Sequence, residues 1–227
     1  MPTREPVRDQ SVTNDCVLES GARAGHLFLG GHGIWVPFAD PLVPYKLVRG
    51  NGRSGPLTDD GCLPTEAVSV MSTVGMVPET TPFDPATVND PVDLQTIQDA
   101  AAWKIAGWRR MPAVGAELVD EICDFLDEGI PVIFGMDLEA GYEQWNGRGV
   151  YVRDDAAPSV GLHMQTIVGY EVTDQGVVFW VVNSWGAVWG DGGFARIAAQ
   201  SITRWCADFY ALNAEPAGPG GKIVSAT

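Results

Sequence analysis

The chain has 227 residues, enough for one domain or for two closely packed lobes that share a cleft. It carries 14 Lys and Arg against 29 Asp and Glu, a formal charge of −15, which argues against nucleic acid or an anionic membrane as a main partner. No apolar run reaches the roughly 18 residues of a transmembrane helix, and the first fifteen residues lack the apolar region of a secretory signal.

The first half of the chain predicts mainly helices. Apolar and small residues recur at helical spacing after Cys16 and stop at the pair Gly30-Gly31. Segment 41–61 is punctuated by Gly and Pro and therefore predicts a loop. Further helices are predicted, wholly or at their start, for 64–75, 93–108 and 115–129.

From residue 130 onward the apolar period changes from 3.6 to 2, which favours strands separated by Gly and Asp turns. The predicted strands are 130–138, 149–153, 164–172, 177–185 and 193–198. Helices followed by strands indicate an α+β protein with two lobes.

The chain contains four cysteines without a Cys-x-x-Cys pair, so neither a zinc site nor a disulfide scaffold is expected. No metal and no cofactor is predicted. Cys123 and Cys206 are interpreted as small buried hydrophobic residues, and reduced thiols are favoured over any pairing of Cys62.

A cysteine, a histidine and an asparagine in this sequence could together form a nucleophilic catalytic site. Cys16 begins a predicted helix, where unpaired N–H groups and the helix dipole favour a thiolate. His163 begins an apolar strand, and Asn183 interrupts another one, two residues before Trp185. A carboxamide oxygen from Asn183 can hold the imidazole in one tautomer without adding charge.

Three segments of the chain resemble the papain-like cysteine peptidases, and the resemblance extends over about residues 5 to 212. They are PVRDQSVTNDCV at 6–17, GLHMQTIVGYE at 161–171 and NSWGAVWGDGGFARI at 183–197. Gln10 precedes Cys16 by six residues, as the oxyanion-hole glutamine of that family precedes its nucleophile.

The resemblance implies an α+β, two-lobe fold with a helical left lobe, an antiparallel β-barrel-like right lobe and the active-site cleft between them. A single domain is then expected over 1–214. Its helical lobe comprises about 11–108, its β lobe about 109–214 with an N-terminal strand at 1–10, and a flexible tail follows at 215–227.

The resemblance also assigns roles to single residues. Cys16, His163 and Asn183 are the expected catalytic residues of a peptidase that forms a thioester acyl-enzyme on a polypeptide substrate. The Gln10 amide and the backbone N–H of Cys16 are expected to bind the developing oxyanion. Trp185 is expected to shield the bond between His163 and Asn183 from water.

Several positions next to the nucleophile depart from the family pattern. Asn14 and Asp15 replace its usual Gly-Ser, and Val17 replaces its usual Trp. The Asp15 carboxylate either points inward, where it opposes a thiolate at Cys16, or points outward and caps the helix.

Further departures affect the disulfide and the substrate cleft. Thr13 stands where the family has its first cleft cysteine, so the usual disulfide cannot form. Cys62 lies near the partner position, but the Cys-Asn-Gly-Gly segment of the family is absent. Leu162 replaces the usual Asp or Gly before His163.

Three functions remain open at this point: a peptidase, an inactive papain-like module with a structural or binding role in an assembly such as a phage virion or tail, and an amidase acting on peptidoglycan stem peptides. With no signal sequence and no inhibitory propeptide evident, a bacterial or phage protein is expected. It would act in the cytoplasm or within a larger particle, with neither nucleic acid nor membrane as a partner.

Overall fold

The computed structural model describes residues 7–34, 36–50, 57–79, 84–101 and 103–216, with side chains up to residue 213. The chain divides into two compact units. The first, the strand unit, combines the residues up to Ser11 with Arg109–Ala211, and the second, the helical unit, combines Val12–Trp108 with the residues from Leu212. The first six residues of the predicted N-terminal strand and residues 217–227 of the predicted tail lie outside the described residues.

Four α-helices and a short 3₁₀ helix form the helical unit. They are α1 (Cys16–Gly31), α2 (Leu42–Gly50), α3 (Pro64–Thr73), the 3₁₀ helix Pro85–Thr87 and α4 (Leu94–Ala100). The predicted helices after Cys16 and at 64–75 are confirmed as α1 and α3, and Pro64 begins α3 where a missing N–H costs nothing.

Helix α2 corrects the sequence prediction, which treated 41–61 as a loop. The helix begins at Leu42, whose N–H donates to the Asp40 carboxylate at 2.8 Å. Pro44 falls in its first turn, where proline is tolerated because the N–H groups of that turn have no partner within the helix. Tyr45 and Val48 are buried on the same side, so tertiary packing rather than composition determines the helix.

Helix α1 packs closely against neighbouring side chains in the interior of the helical unit. A Cβ atom added to Gly21 would lie 2.4 Å from Met71 Cε, and one added to Gly25 would lie 2.4 Å from the Trp103 ring. Glycine at these two helix positions therefore lets a side chain from α3 and an indole from the adjoining strand approach the α1 backbone.

The strand unit contains most of a six-stranded sheet with the order β1-β6-β2-β3-β4-β5. In chain order, the strands of this sheet and the helices between them are β1 (Trp103–Arg110), α5 (Gly115–Asp127), β2 (Val132–Leu138), α6 (Ala140–Glu143), β3 (Gly161–Thr173), β4 (Gly176–Val182), β5 (Phe194–Ala198), α7 (Ala199–Trp205) and β6 (Cys206–Pro216). The α+β class is confirmed, and β1 and β6 each contribute residues to both units.

One predicted strand and one segment predicted as helical only at its start differ from the structure. The stretch 149–153 forms a single bridge, from Tyr151 to Ile197, rather than a strand. The second half of 93–108 belongs to β1, which extends to Arg110 after the short helix α4. Only Trp103 and Ile105 of β1 are buried. The other residues of β1 include three charged ones and an exposed Trp108, so the apolar alternation of a half-buried strand is weak.

The core of the strand unit lies along β2, β3 and β4. Antiparallel pairing sets Met136 opposite His163 and Ile167 opposite Val181. Phe134, Ile167 and Phe179 are fully buried in this core. The strands that carry His163 and lead into Asn183 are therefore neighbours anchored by packed apolar side chains.

Two further features concern only the part of the chain that the structure describes. None of its helices is both long enough and apolar enough to cross a bilayer. Nor do three or more His, Cys, Asp or Glu side chains converge there in a group that could hold a metal ion.

Candidate active site

His163 and Asn183 are brought together by adjacent antiparallel strands. His163 lies in β3, and Asn183 directly follows β4. Their side chains meet at 2.7 Å between His163 Nε2 and Asn183 Oδ1, and both residues are buried. Because an amide oxygen can only accept, Nε2 carries the proton, and Nδ1 is the nitrogen that remains to exchange one.

The backbone of Ser184 fixes the orientation of the Asn183 amide. Its N–H donates to Asn183 Oδ1 at 2.7 Å, so this oxygen accepts from both Ser184 and His163. An amide turned the other way would direct an NH₂ group at two donors. The Ser184 N–H therefore determines the orientation of the Asn183 amide, and this amide orients the imidazole.

Trp185 covers the imidazole. Its ring stacks on that of His163 with centroids 4.5 Å apart and an interplanar angle of 23°. Trp189 and Tyr142 support the indole by edge contacts, at centroid distances of 5.5 Å and 6.1 Å. Water is thereby kept from one face of the ring, which strengthens its hydrogen bond to Asn183.

Burial lowers the pKa of His163 from 6.5 to about 4, against the smaller opposing effect of its hydrogen bond to Asn183. The imidazole is therefore neutral at neutral pH unless a negative charge lies beside it. A thiolate supplies such a charge, so an imidazolium at His163 depends on its partner rather than on its own environment.

Gln10 is held against the segment that follows Asn183. Its N–H donates to Ser184 O at 2.8 Å, and its side-chain Oε1 accepts from Ser184 Oγ at 2.6 Å. The neighbouring residues pair as well, because the Gly186 N–H donates to Arg8 O at 2.8 Å. Since Ser184 engages the oxygen end of the Gln10 amide, the donor end, Nε2, points away from Ser184.

Ser184 is a residue of the candidate site for which the sequence indicated no role. It contacts both polar groups that surround it, Asn183 through its N–H and Gln10 through its hydroxyl. Its position directly after Asn183 was the available signal. What the sequence does not reveal is that residues 8–10 pair with 184–186, since these two segments are distant along the chain.

Cys16 is the first residue of α1 and is half-buried. It belongs to the helical unit, whereas His163, Asn183, Trp185 and Gln10 belong to the strand unit. The structure thus brings four of the five predicted residues together within one unit. Joining Cys16 to them is part of the function proposed below.

Asp15 does not cap α1 through its side chain, which corrects one of the two alternatives drawn from the sequence. The residue occupies the N-cap position, but its carboxylate makes no cap hydrogen bond, and it is 0% exposed. Instead, its Oδ1 accepts from the Thr13 hydroxyl at 2.6 Å. The carboxylate lies inside the protein next to Cys16 in sequence, and there a negative charge opposes a thiolate.

The cysteines other than Cys16 behave as protonated thiols. Burial is the main cause that raises the pKa of Cys62 to about 12 and that of Cys123 to about 11, and it raises the pKa of Cys206 well above its ordinary value. Cys123 and Cys206 pack against the core of the strand unit, but both are only partly buried, whereas the sequence predicted buried residues.

Comparison with known proteins decides the family. The model of the papain family of cysteine proteases matches residues 54–208, more than half of the chain. The chain belongs to the papain family. Its sequence is 34% identical to cathepsin B-like CP1 of Giardia intestinalis over 83 residues, which is 32% of this chain and 27% of that protein. Fruit bromelain of Ananas comosus is 36% identical over 69 residues, 30% of this chain and 19% of that protein.

Similar folds extend over nearly the whole chain. Xylellain, a cysteine protease from Xylella fastidiosa, aligns with a TM-score of 0.74 and 22% identity over 92% of this chain and 83% of its own. The bromelain protease from Ananas comosus, in a complex with the inhibitor E64, aligns with a TM-score of 0.68 and 18% identity over 93% and 94%. These similarities confirm the papain-like fold. The sequence matches, by contrast, span only about a quarter of the relatives' length or less.

Proposed function

We propose that this papain-family protein is a cysteine peptidase that hydrolyses peptide bonds through a thioester acyl-enzyme. Cys16 is the nucleophile, His163 exchanges the protons, and Asn183 orients His163. The observation that carries the proposal is the buried bond between His163 and Asn183 beneath Trp185, because it leaves only Nδ1 of the imidazole to act on a proton.

The first half of the reaction forms the acyl-enzyme. The Cys16 thiolate attacks the carbonyl carbon of the scissile peptide, and a C–S bond forms while the carbonyl oxygen becomes an oxyanion. The Gln10 Nε2 donor and the Cys16 N–H stabilise this charge. Each such donor typically lowers the barrier by about 3 kcal/mol. His163 Nδ1 then gives its proton to the departing amine as the C–N bond breaks.

The second half releases the product. His163, now neutral, accepts a proton from water at Nδ1, and the resulting hydroxide attacks the thioester carbonyl. The C–S bond breaks, the carboxylic acid leaves, and the thiolate of Cys16 is restored beside a protonated imidazole. Burial keeps this imidazole unprotonated at neutral pH when no thiolate lies beside it, so its Nδ1 can accept the proton.

The single papain-like domain predicted from the sequence is part of this proposal. We infer that residues 1–214 act as one domain, because the catalytic residues are divided between the helical and the strand unit. A polypeptide is the proposed substrate.

Labelling with a thiol-directed epoxide tests the proposal. Mass spectrometry after incubation is expected to locate the adduct on Cys16, and the adduct is expected to disappear in His163→Ala. His32→Ala, which changes an exposed histidine, serves as the matched control. Equal labelling of all four cysteines would overturn the assignment of Cys16 as the nucleophile.

A peptide-library digest then distinguishes the reaction classes. Cleavage of linear peptides supports a peptidase, whereas release of amines from peptidoglycan stem peptides without cleavage of linear peptides supports the amidase alternative, which uses the same acyl chemistry.

One observation favours a second function, an inactive module that binds a partner in a larger assembly, such as a phage particle. The buried Asp15 carboxylate beside Cys16 opposes the thiolate on which catalysis depends. If the wild type fails to label at Cys16 but Asp15→Asn labels readily, the natural protein is the inactive module rather than the enzyme.

A further inference from the structure

The loop that carries Cys62 is tied to the segment that precedes Cys16. The Asn14 N–H donates to Asp59 Oδ1 at 3.0 Å, and Asn14 Nδ2 donates to Asp59 O at 2.8 Å. Asn14 is two residues before Cys16, and Asp59 is three residues before Cys62. Two short stretches that each end in a cysteine therefore share a pair of hydrogen bonds.

Tyr45 fixes this loop from the other side. Its hydroxyl donates to Asp59 Oδ1 at 2.6 Å and accepts from the Gly61 N–H at 2.9 Å. A Cβ atom added to Gly61 would lie 3.8 Å from Asn14 O, so the Gly61 backbone itself packs against the segment before Cys16. The contact thus continues up to the residue adjacent to Cys62.

The electrostatic environment of Cys62 also includes Cys16. Burial is the main cause that raises the pKa of Cys62, and a negative charge on Cys16 is the next. Glu66 and Asp15 act in the same direction, whereas Arg49 opposes them. Both cysteines are present as thiols rather than as a disulfide, and both are half-buried.

We propose that Cys62 is the resolving thiol for Cys16, so that oxidation by a peroxide joins the two residues in a reversible disulfide that switches the nucleophile off. This inference rests on the proposed function, since it takes Cys16 to be the reactive thiolate. It concerns a modification that neither the peptidase chemistry nor the fold requires.

The chemistry balances in two steps. In the first, the Cys16 thiolate attacks one oxygen of hydrogen peroxide, the O–O bond breaks, and Cys16 becomes a sulfenic acid while the other oxygen leaves as water after taking up a proton. In the second, the Cys62 sulfur attacks the sulfenic sulfur, the S–S bond forms, and the sulfenic oxygen leaves as water. Two thiols lose two electrons in total, and one peroxide becomes two waters.

The order of these steps follows from the environments of the two sulfurs. Cys62 is protonated at neutral pH and reacts slowly with peroxide, so Cys16 is oxidised first. A sulfenic acid at Cys16 is neutral, and one cause of the unreactive state of Cys62 disappears when it forms. A disulfide requires Cα atoms about 4.4–6.8 Å apart, and the hydrogen bonds from Asn14 to Asp59 hold the two segments that carry the cysteines side by side.

Peptide mapping of the full chain tests the pairing. Wild type, Cys62→Ser and the matched control Cys123→Ser are treated with hydrogen peroxide, alkylated and digested without reductant. We expect a cross-linked peptide containing Cys16 and Cys62 in wild type and in Cys123→Ser, lost on addition of dithiothreitol. In Cys62→Ser and in Cys62→Ala, we expect Cys16 to gain two oxygens as a sulfinic acid and dithiothreitol not to restore its thiol.

Two results would overturn the inference: oxidation of Cys16 to sulfinic acid at the same rate in wild type and Cys62→Ser, or a disulfide from Cys16 to Cys123 or Cys206 instead. Epoxide labelling of the reduced protein keeps this failure separate from failure of the proposed function. Labelling at Cys16 without the Cys16–Cys62 disulfide refutes only the switch, whereas the disulfide without labelling refutes only the peptidase.

Discussion

The two regions that supply the proposed active site differ in how far they keep the family pattern. In the strand unit, Asn183, Ser184 and Trp185 follow the family motif, and each makes a defined contact around His163 or Gln10. In the helical unit, the residues before Cys16 depart from the pattern, and Asp15 buries a carboxylate there. The orientation of the His163 imidazole is thus determined within the strand unit, whereas the helical unit places a buried carboxylate next to Cys16 in the sequence.

The largest expected effect concerns the base. His163→Ala is expected to lower kcat by about 10³-fold, because it removes the Nδ1 atom that exchanges protons in the proposed mechanism. Steady-state hydrolysis of a peptide substrate measures the loss, with His32→Ala as the control. Activity within a few-fold of wild type in His163→Ala would show that the ordered contacts around His163 in the strand unit do not serve catalysis.

The oxyanion donor comes next. Gln10→Ala is expected to lower kcat by about 10²-fold while leaving the rate of epoxide labelling at Cys16 nearly unchanged, because the donor acts on the substrate oxygen and not on the thiolate. Gln144→Ala, at an exposed position, is the control. Parallel loss of turnover and labelling would contradict the oxyanion role.

The buried imidazole also predicts how stability depends on pH. The pKa of His163 is lowered to about 4 in the folded protein, so between pH 6.5 and pH 4 the unfolded chain binds the proton that the folded chain excludes. Stability therefore falls as the pH falls through this window. Because the proposed Cys16 thiolate holds a proton on the imidazole, the comparison is made in the Cys16→Ala protein. From pH 7.5 to pH 5, Cys16→Ala is expected to lose about 2 kcal/mol more free energy of unfolding than Cys16→Ala/His163→Asn.

Denaturant unfolding of both proteins at the two pH values measures this difference, and carboxylates that titrate equally in both proteins cancel. Cys16→Ala/His32→Asn should lose as much stability as Cys16→Ala. A Cys16→Ala/His163→Asn protein that also matches Cys16→Ala at both pH values would show that the imidazole is not buried in a neutral state.

A smaller effect is expected on the nucleophile side. Asp15→Asn removes a buried negative charge next to Cys16 and is expected to raise the rate of epoxide labelling at pH 6 by about 5-fold, because a thiolate forms more readily without it. Asp90→Asn, at an exposed position, should have no effect. A slower rate in Asp15→Asn would mean that the Asp15 carboxylate favours the Cys16 thiolate. The helical unit would then promote the proposed chemistry as the strand unit does.

The smallest effect concerns the link between Asn183 and Gln10. Ser184→Ala is expected to lower kcat by about 3-fold, because the Gln10 amide loses the hydroxyl that fixes its oxygen end. In a Gln10→Ala background, the same change should cost nothing further, and Ser184→Thr should restore most of the activity. Additive losses in the double variant would mean that Ser184 does not act through Gln10.

Much of the fold followed from apolar periodicity. The helices α1, α3 and α5 and the strands β2 to β5 were predictable because one face of each is buried and their ends carry Gly, Pro or Asp signals. Helix α2 and strand β1 were not. Pro44 makes the segment of α2 resemble a loop. Exposed charged residues in the edge strand β1 interrupt the alternation of apolar residues that predicts a strand.

The sequence by itself determined the identity of the candidate residues, since Gln10, Cys16, His163 and Asn183 stand in family motifs whose spacing is legible along the chain. Tertiary structure alone decided that Asp15 turns inward, that Ser184 holds Gln10, and that the Cys62 loop is bonded to Asn14. The physical reason is that a motif specifies side chains and local backbone. Burial and hydrogen-bond partners depend on segments that meet only after the chain has folded.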